Sequence, residues 1–124
     1  MMQKTSENRL RTEAALSPGV LDVYLSGTAD VNVLPELDAF LSDVHATASR
    51  ARVTSVTVDI SALQFINSSC LKSFITWMTT AQAMNEGRYM ITFLFQRQSP
   101  RQGRTFGALA AIASERVEVK ARID

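Results

Sequence analysis

Two adjacent hydroxyls, Ser68 and Ser69, stand between Asn67 and Cys70, just ahead of the apolar positions Leu71, Phe74, Ile75 and Met78. That spacing predicts a helix beginning at these residues. A helix N-terminus presents unpaired N–H groups and a partial positive charge, so a phosphate carried there by Ser68 meets a favourable field. It would add about −1.5 to −2 charge at a surface position and change how a partner docks without refolding the chain. The plainer role of the same residues is structural, with Asn67 or Ser68 capping the helix. Asp30 and Asp59, in a loop and near a strand end, are the carboxylates an α/β sheet could bring toward this region.

Other chemistries lack parts. The single histidine, His45, excludes a two-histidine zinc site, and its place beside Val44 at the edge of an apolar stripe suits a semi-buried structural role. The single cysteine, Cys70, excludes an internal disulfide. Near a helix start its thiol could be redox-responsive, but a lone cysteine is more often a small buried hydrophobe. No glycine-rich phosphate loop is present, and no base stands ready for a nucleophile. The chain therefore reads as a non-enzyme that needs no cofactor and no metal. Trp77 lies two helical turns after Cys70 on the same helix face, where it either anchors a partner or packs beneath a neighbouring helix.

Charge and composition bound the remaining classes. The 124 residues are 46% hydrophobic and 20% charged, as in an ordinary globular protein, and suit a single domain over residues 1–124. Net charge is +1, with an acidic first half and a basic second half. Arg88, Arg97, Arg101 and Arg104 fall in a stretch without acids, but lysine is limited to Lys4, Lys72 and Lys120. An arginine-rich surface loop is expected there, and no nucleic-acid interface. No apolar run reaches the about 18 residues a membrane span needs. Residues 1–8 are polar, lack the apolar core of a signal peptide, and read as a flexible N-terminal segment. The expected location is the cytoplasm.

The elements follow from periodicity. Leu10 to Leu16 and Leu21 to Leu25 alternate around Ser17-Pro18-Gly19, predicting a hairpin of two half-buried strands that ends at Gly27. Leu34, Leu37, Leu41, Val44 and Ala48 define an amphipathic helix. Val53–Ile60 reads as a strand, followed by a loop through Ser61 and Gln64. The second helix should reach about Asn85, with Gly87 as its stop. Tyr89–Phe95 suits a strand covered on both faces. A loop over Arg97–Gly103 should lead into a short helix with Phe106, Leu109, Ala110 and Ala113, and then a strand with Val117, Val119 and Ala121. The order β-β-α-β-α-β-α-β predicts an α/β fold: a mixed, mostly parallel sheet with an N-terminal antiparallel hairpin, packed against helices.

This order, with two motifs, resembles the STAS family, the sulphate-transporter and anti-sigma-factor-antagonist domain, along nearly the whole chain. Gly27-Thr28-Ala29-Asp30 stands where the family carries Gly-Glu-Leu-Asp, and Asn67-Ser68-Ser69-Cys70-Leu71 where it carries Asp-Ser-Ser-Gly-Leu. The resemblance implies a STAS-like single domain acting in bacterial signal transduction and transcription regulation. Like the stand-alone anti-sigma-factor antagonists, it would bind a switch kinase that doubles as an anti-sigma factor. Ser68 then corresponds to the phosphorylated serine, with Ser69 second, and a phosphatase would reverse the modification. The expected partner-binding residues are Asp30, Asn67, Ser68, Ser69, Cys70 and Trp77. The alternative keeps the fold and drops the switch: a constitutive adaptor, or a small-ligand sensor, in a signalling assembly.

Overall fold

The computed structural model describes residues 9–84, 86–113 and 116–122. The expected flexible segment at residues 1–8 lies outside them. Strands β1 (Arg11–Ser17) and β2 (Val20–Ala29) form the antiparallel hairpin, with Ser17 opposite Val20 and Gly19 turning at φ 81°. Helix α1 (Leu34–Ala51), β3 (Ser55–Ile66), α2 (Ser68–Gln82), β4 (Met90–Phe95), α3 (Pro100–Ala113) and β5 (Val117–Ala121) follow. The sheet order is β1-β2-β3-β4-β5, with β2 through β5 parallel.

This topology dictates where the core lies. Each crossover from β2 to β5 moves one strand in the same direction, so right-handed connections put all three helices on one face. Leu21, Val23 and Leu25, Val56, Val58 and Ile60, and Ile91 and Phe93 point to that face and share one core with Leu37, Leu41, Val44, Phe74, Met78 and Phe106. The apolar stripe of α1 is buried as its spacing predicts, at Leu37, Leu41, Val44 and Ala48. The other face carries Asp22, Tyr24, Thr57, Asp59, Thr92 and Lys120 in register across the sheet.

Several boundaries differ from expectation. β1 is exposed along its whole length, not half-buried, because it is an edge strand outside the crossovers that the helices cover. Gly27 does not end β2: it takes φ 87° beside a register shift, and the strand runs on to Ala29 against the end of β3. The expected loop through Ser61 and Gln64 is consequently strand. In β4, Ile91 and Phe93 are buried beneath the helices, while on the opposite face Thr92 is only 8% exposed and Met90 is 37% exposed, so burial on that second face is partial. Pro100 lies in the first position of α3, where its missing N–H costs nothing, and not in a loop. Helix α2 ends at Gln82, short of Asn85.

Candidate functional site

The ends of β2 and β3 deliver two loops to one place. Past β2, the Asp30 carboxylate accepts from the Asn32 amide at 2.9 Å and caps a short 3-10 turn, Val31–Val33. Past β3, the Asn67 amide donates to the Ala29 carbonyl at 2.9 Å, tying the two loops together. The Cys70 thiol donates to the Asp30 carbonyl at 3.5 Å from within α2 and ties them a second time. The expected proximity of the Asp30 loop and the start of the second helix is therefore built by strand pairing.

At that start, capping and exposure are divided between neighbours. The Asn67 side chain accepts from the Cys70 amide at 2.9 Å, with an extended backbone typical of an N-cap. Asn67, not Ser68, is thus the cap. Ser68 is exposed in the first turn, and its hydroxyl makes no hydrogen bond among the described residues. Ser69 is half-buried and turns toward α1. Two apolar side chains on the chain segments that lead into this region are more than half exposed: Val31, on the 3-10 turn after Asp30, at 58%, and Phe65, two residues before Asn67, at 54%. Arg101, from the first turn of α3, lines a hollow that includes Phe65 and Leu71.

Two expected partner-binding residues are corrected by burial. Cys70 is 0% exposed and faces the core, so its side chain cannot meet a partner. Burial, reinforced by the charges of Asp30 and Asp38, pushes its thiol above the ordinary 9.0, against the pull of the helix terminus. It is a packed hydrophobe and not a reactive thiol. Trp77 is 4% exposed and donates its indole N–H to the Tyr89 hydroxyl at 2.9 Å, which decides for packing beneath its neighbours. The exposed Val31 and Phe65 were not singled out from the sequence, although an aromatic two residues before a helix cap is visible there.

No catalytic constellation forms among the described residues. His45 is bonded to the Tyr89 hydroxyl at 2.7 Å rather than to Ser68 or Cys70. The Asp59 carboxylate accepts from the Ser61 amide at 2.9 Å and the Ser61 hydroxyl at 2.6 Å, and lies 3.6 Å from the Arg122 guanidinium, on the helix-free face of the sheet. It does not join Asp30 and Ser68. No cluster of three or more potential metal ligands occurs among the described residues, and no helix among them is long and apolar enough to cross a membrane.

No family model matches the chain, and no curated protein matches it in sequence. Solved structures do. An anti-sigma factor antagonist from Mycobacterium paratuberculosis superposes with a TM-score of 0.64 at 19% identity, over 85% of this chain and 83% of that one. The Bacillus cell fate determinant SpoIIAA in its phosphorylated form gives 0.60 at 16% identity, over 94% and 93%. The fold is STAS-like. A chain in the complex of the diguanylate cyclase SiaD with its activator SiaC from Pseudomonas aeruginosa also matches, at 0.66 and 14% identity, over 93% of each chain. The shared architecture is the mixed five-stranded sheet with its opening hairpin and three helices. Within this STAS-like chain, Asn67 preserves the helix cap where the resembling motif has aspartate, and Cys70 fills a buried site where it has glycine.

Proposed function

We propose that this chain is a non-enzymatic regulatory interaction module that binds a switch kinase acting as an anti-sigma factor, under control of phosphate on Ser68. The observation that carries the reading is the division of labour at α2: Asn67 caps, which leaves the Ser68 hydroxyl exposed and unengaged. A kinase can reach that oxygen without undoing the helix start. Phosphate there faces the unpaired amides of the first turn, so it alters the surface and leaves the fold standing.

The docking surface combines Ser68 at the start of α2 with the exposed Val31, on the 3-10 turn after β2, and the exposed Phe65, at the end of β3, and Asp30 and Asn67 hold the segments that follow those two strands in place. Apolar side chains supply the binding energy, and a dianion beside them would impose a desolvation cost on any partner that lacks a matching cation. Phosphoryl donor and metal belong to the kinase, and a phosphatase resets the switch. The test is binding of the cognate kinase to Ser68→Ala and Ser68→Asp. The two substitutions should shift affinity in opposite directions relative to a mixture of phosphoforms, and equal affinities would overturn the reading.

A further inference from the structure

A groove of about 600 Å³ runs between α1 and α2, and its lining includes Ser69 but not Ser68. Its size falls in the range of small-ligand sites. Its floor holds a hydrogen-bond chain whose direction chemistry fixes. The Trp77 indole can only donate, and it donates to the Tyr89 hydroxyl at 2.9 Å. The Tyr89 oxygen lies 2.7 Å from His45 Nδ1. Were Nδ1 protonated, the Tyr89 oxygen would accept twice and its own proton would have no acceptor among the described residues, although Tyr89 is only 1% exposed. An orphaned buried donor is costly. Tyr89 therefore donates to Nδ1, and neutral His45 carries its proton on Nε2.

That Nε2–H has no partner among the described residues, and His45 lines the groove. His45 thus carries an unengaged donor at the groove wall. Lys72 and the Thr76 hydroxyl on α2 line the same groove, as do Asp38 and the Ser42 hydroxyl on α1. Neither Asp38 nor Lys72 forms an ion pair among the described residues. A cation and an imidazole N–H suit a carboxylate, and the free carboxylate of Asp38 suits an ammonium group.

We propose that this groove binds a free amino acid, its carboxylate held by His45 Nε2–H and Lys72 and its ammonium group by Asp38. The ligand would make this chain a sensor as well as a docking module. Because the site needs neither phosphate nor partner, it is tested on the unmodified full chain, and its failure would leave the Ser68 reading untouched.

Trp77, the single tryptophan, lines the groove and supplies the readout. The protein is titrated with each proteinogenic amino acid to millimolar concentration while Trp77 emission is followed. At least one should give a saturable shift. The N-acetylated and decarboxylated forms of that ligand, and the Asp38→Asn and Lys72→Ala variants, should each bind about tenfold more weakly. His45→Asn places an amide oxygen where Nδ1 stood, keeping the Tyr89 bond, and its amide N–H groups fall near Cδ2, which withdraws the donor from the Nε2 position. It should fold normally and also bind about tenfold more weakly. Nitrogen-15 NMR should find the proton of neutral His45 on Nε2. No saturable shift with any amino acid, analogues that bind as well as the parent, or a proton on Nδ1 would each overturn the proposal.

Discussion

The Asn67 carboxamide oxygen lies 2.9 Å from the Cys70 amide nitrogen, which caps the second helix one residue ahead of Ser68 and frees the Ser68 hydroxyl. Stability and switching are thereby assigned to different side chains. Asn67→Ala should cost about 1 kcal/mol of stability, measured by urea unfolding, whereas Asn67→Asp retains the cap and should cost little. Ser68→Ala should leave the unfolding midpoint within about 0.5 kcal/mol of the parent, because its hydroxyl holds nothing.

A negative charge in the first turn also has a sign that can be measured. Ser68→Asp should stabilise the chain by about 0.3–1 kcal/mol at low ionic strength, and salt should erase the gain. Destabilisation by Ser68→Asp would show that phosphate at this position disturbs the fold and not the surface alone.

Phe65 and Val31 are expected to matter to a partner and hardly to folding. Each is more than half exposed. Phe65→Ala should weaken kinase binding by about tenfold or more while thermal unfolding of the free chain changes little. Calorimetric titration of the purified pair would show this directly.

Alkaline pH should weaken the fold through Tyr89. Burial raises its hydroxyl from the ordinary 10.0 to about 12, partly offset by the bond from Trp77. Between those values the unfolded chain has released this proton and the folded chain still holds it, so unfolding gains as pH rises. Stability should be flat with respect to this group below pH 10.0, fall between there and about 12, and then level off. Tyr89→Phe should remove that fall in denaturant series at stepped pH. At neutral pH it should cost about 1–3 kcal/mol, since the Trp77 indole N–H loses its buried acceptor.

The legible parts of the chain were those fixed by local periodicity. The three-and-four spacing of α1 places Leu37, Leu41, Val44 and Ala48 in the core as read. The capping run at Asn67–Ser69 likewise brackets the start of α2, with the choice of Asn67 over Ser68 as cap made by the structure. What could not be read depends on contacts distant in sequence. Gly27 looks like a strand end, yet pairing with β3 carries β2 through it. For Trp77 the sequence leaves an anchor and a packed role equally open until Tyr89, on the approach to β4, supplies its acceptor. Gln102 gave no signal at all. Its amide donates to the Ile60 and Leu63 carbonyls, both at 2.9 Å, and accepts from the Gln96 amide at 2.9 Å, which pins α3 to the far half of β3. A single polar side chain on a helix does not announce such partners. Nor does the sequence alone say that Pro100 opens a helix, since proline is equally at home in a loop.

The central claim concerns one oxygen atom, and mass spectrometry addresses it most directly. The protein would be purified from its native host, incubated with host lysate and ATP, and its intact mass determined, with any modified residue mapped by peptide fragmentation. The account predicts one phosphoryl group, on Ser68, and none on the Ser68→Ala chain treated in the same way. A chain that stays unmodified, or a phosphate mapped to any other residue, would contradict it.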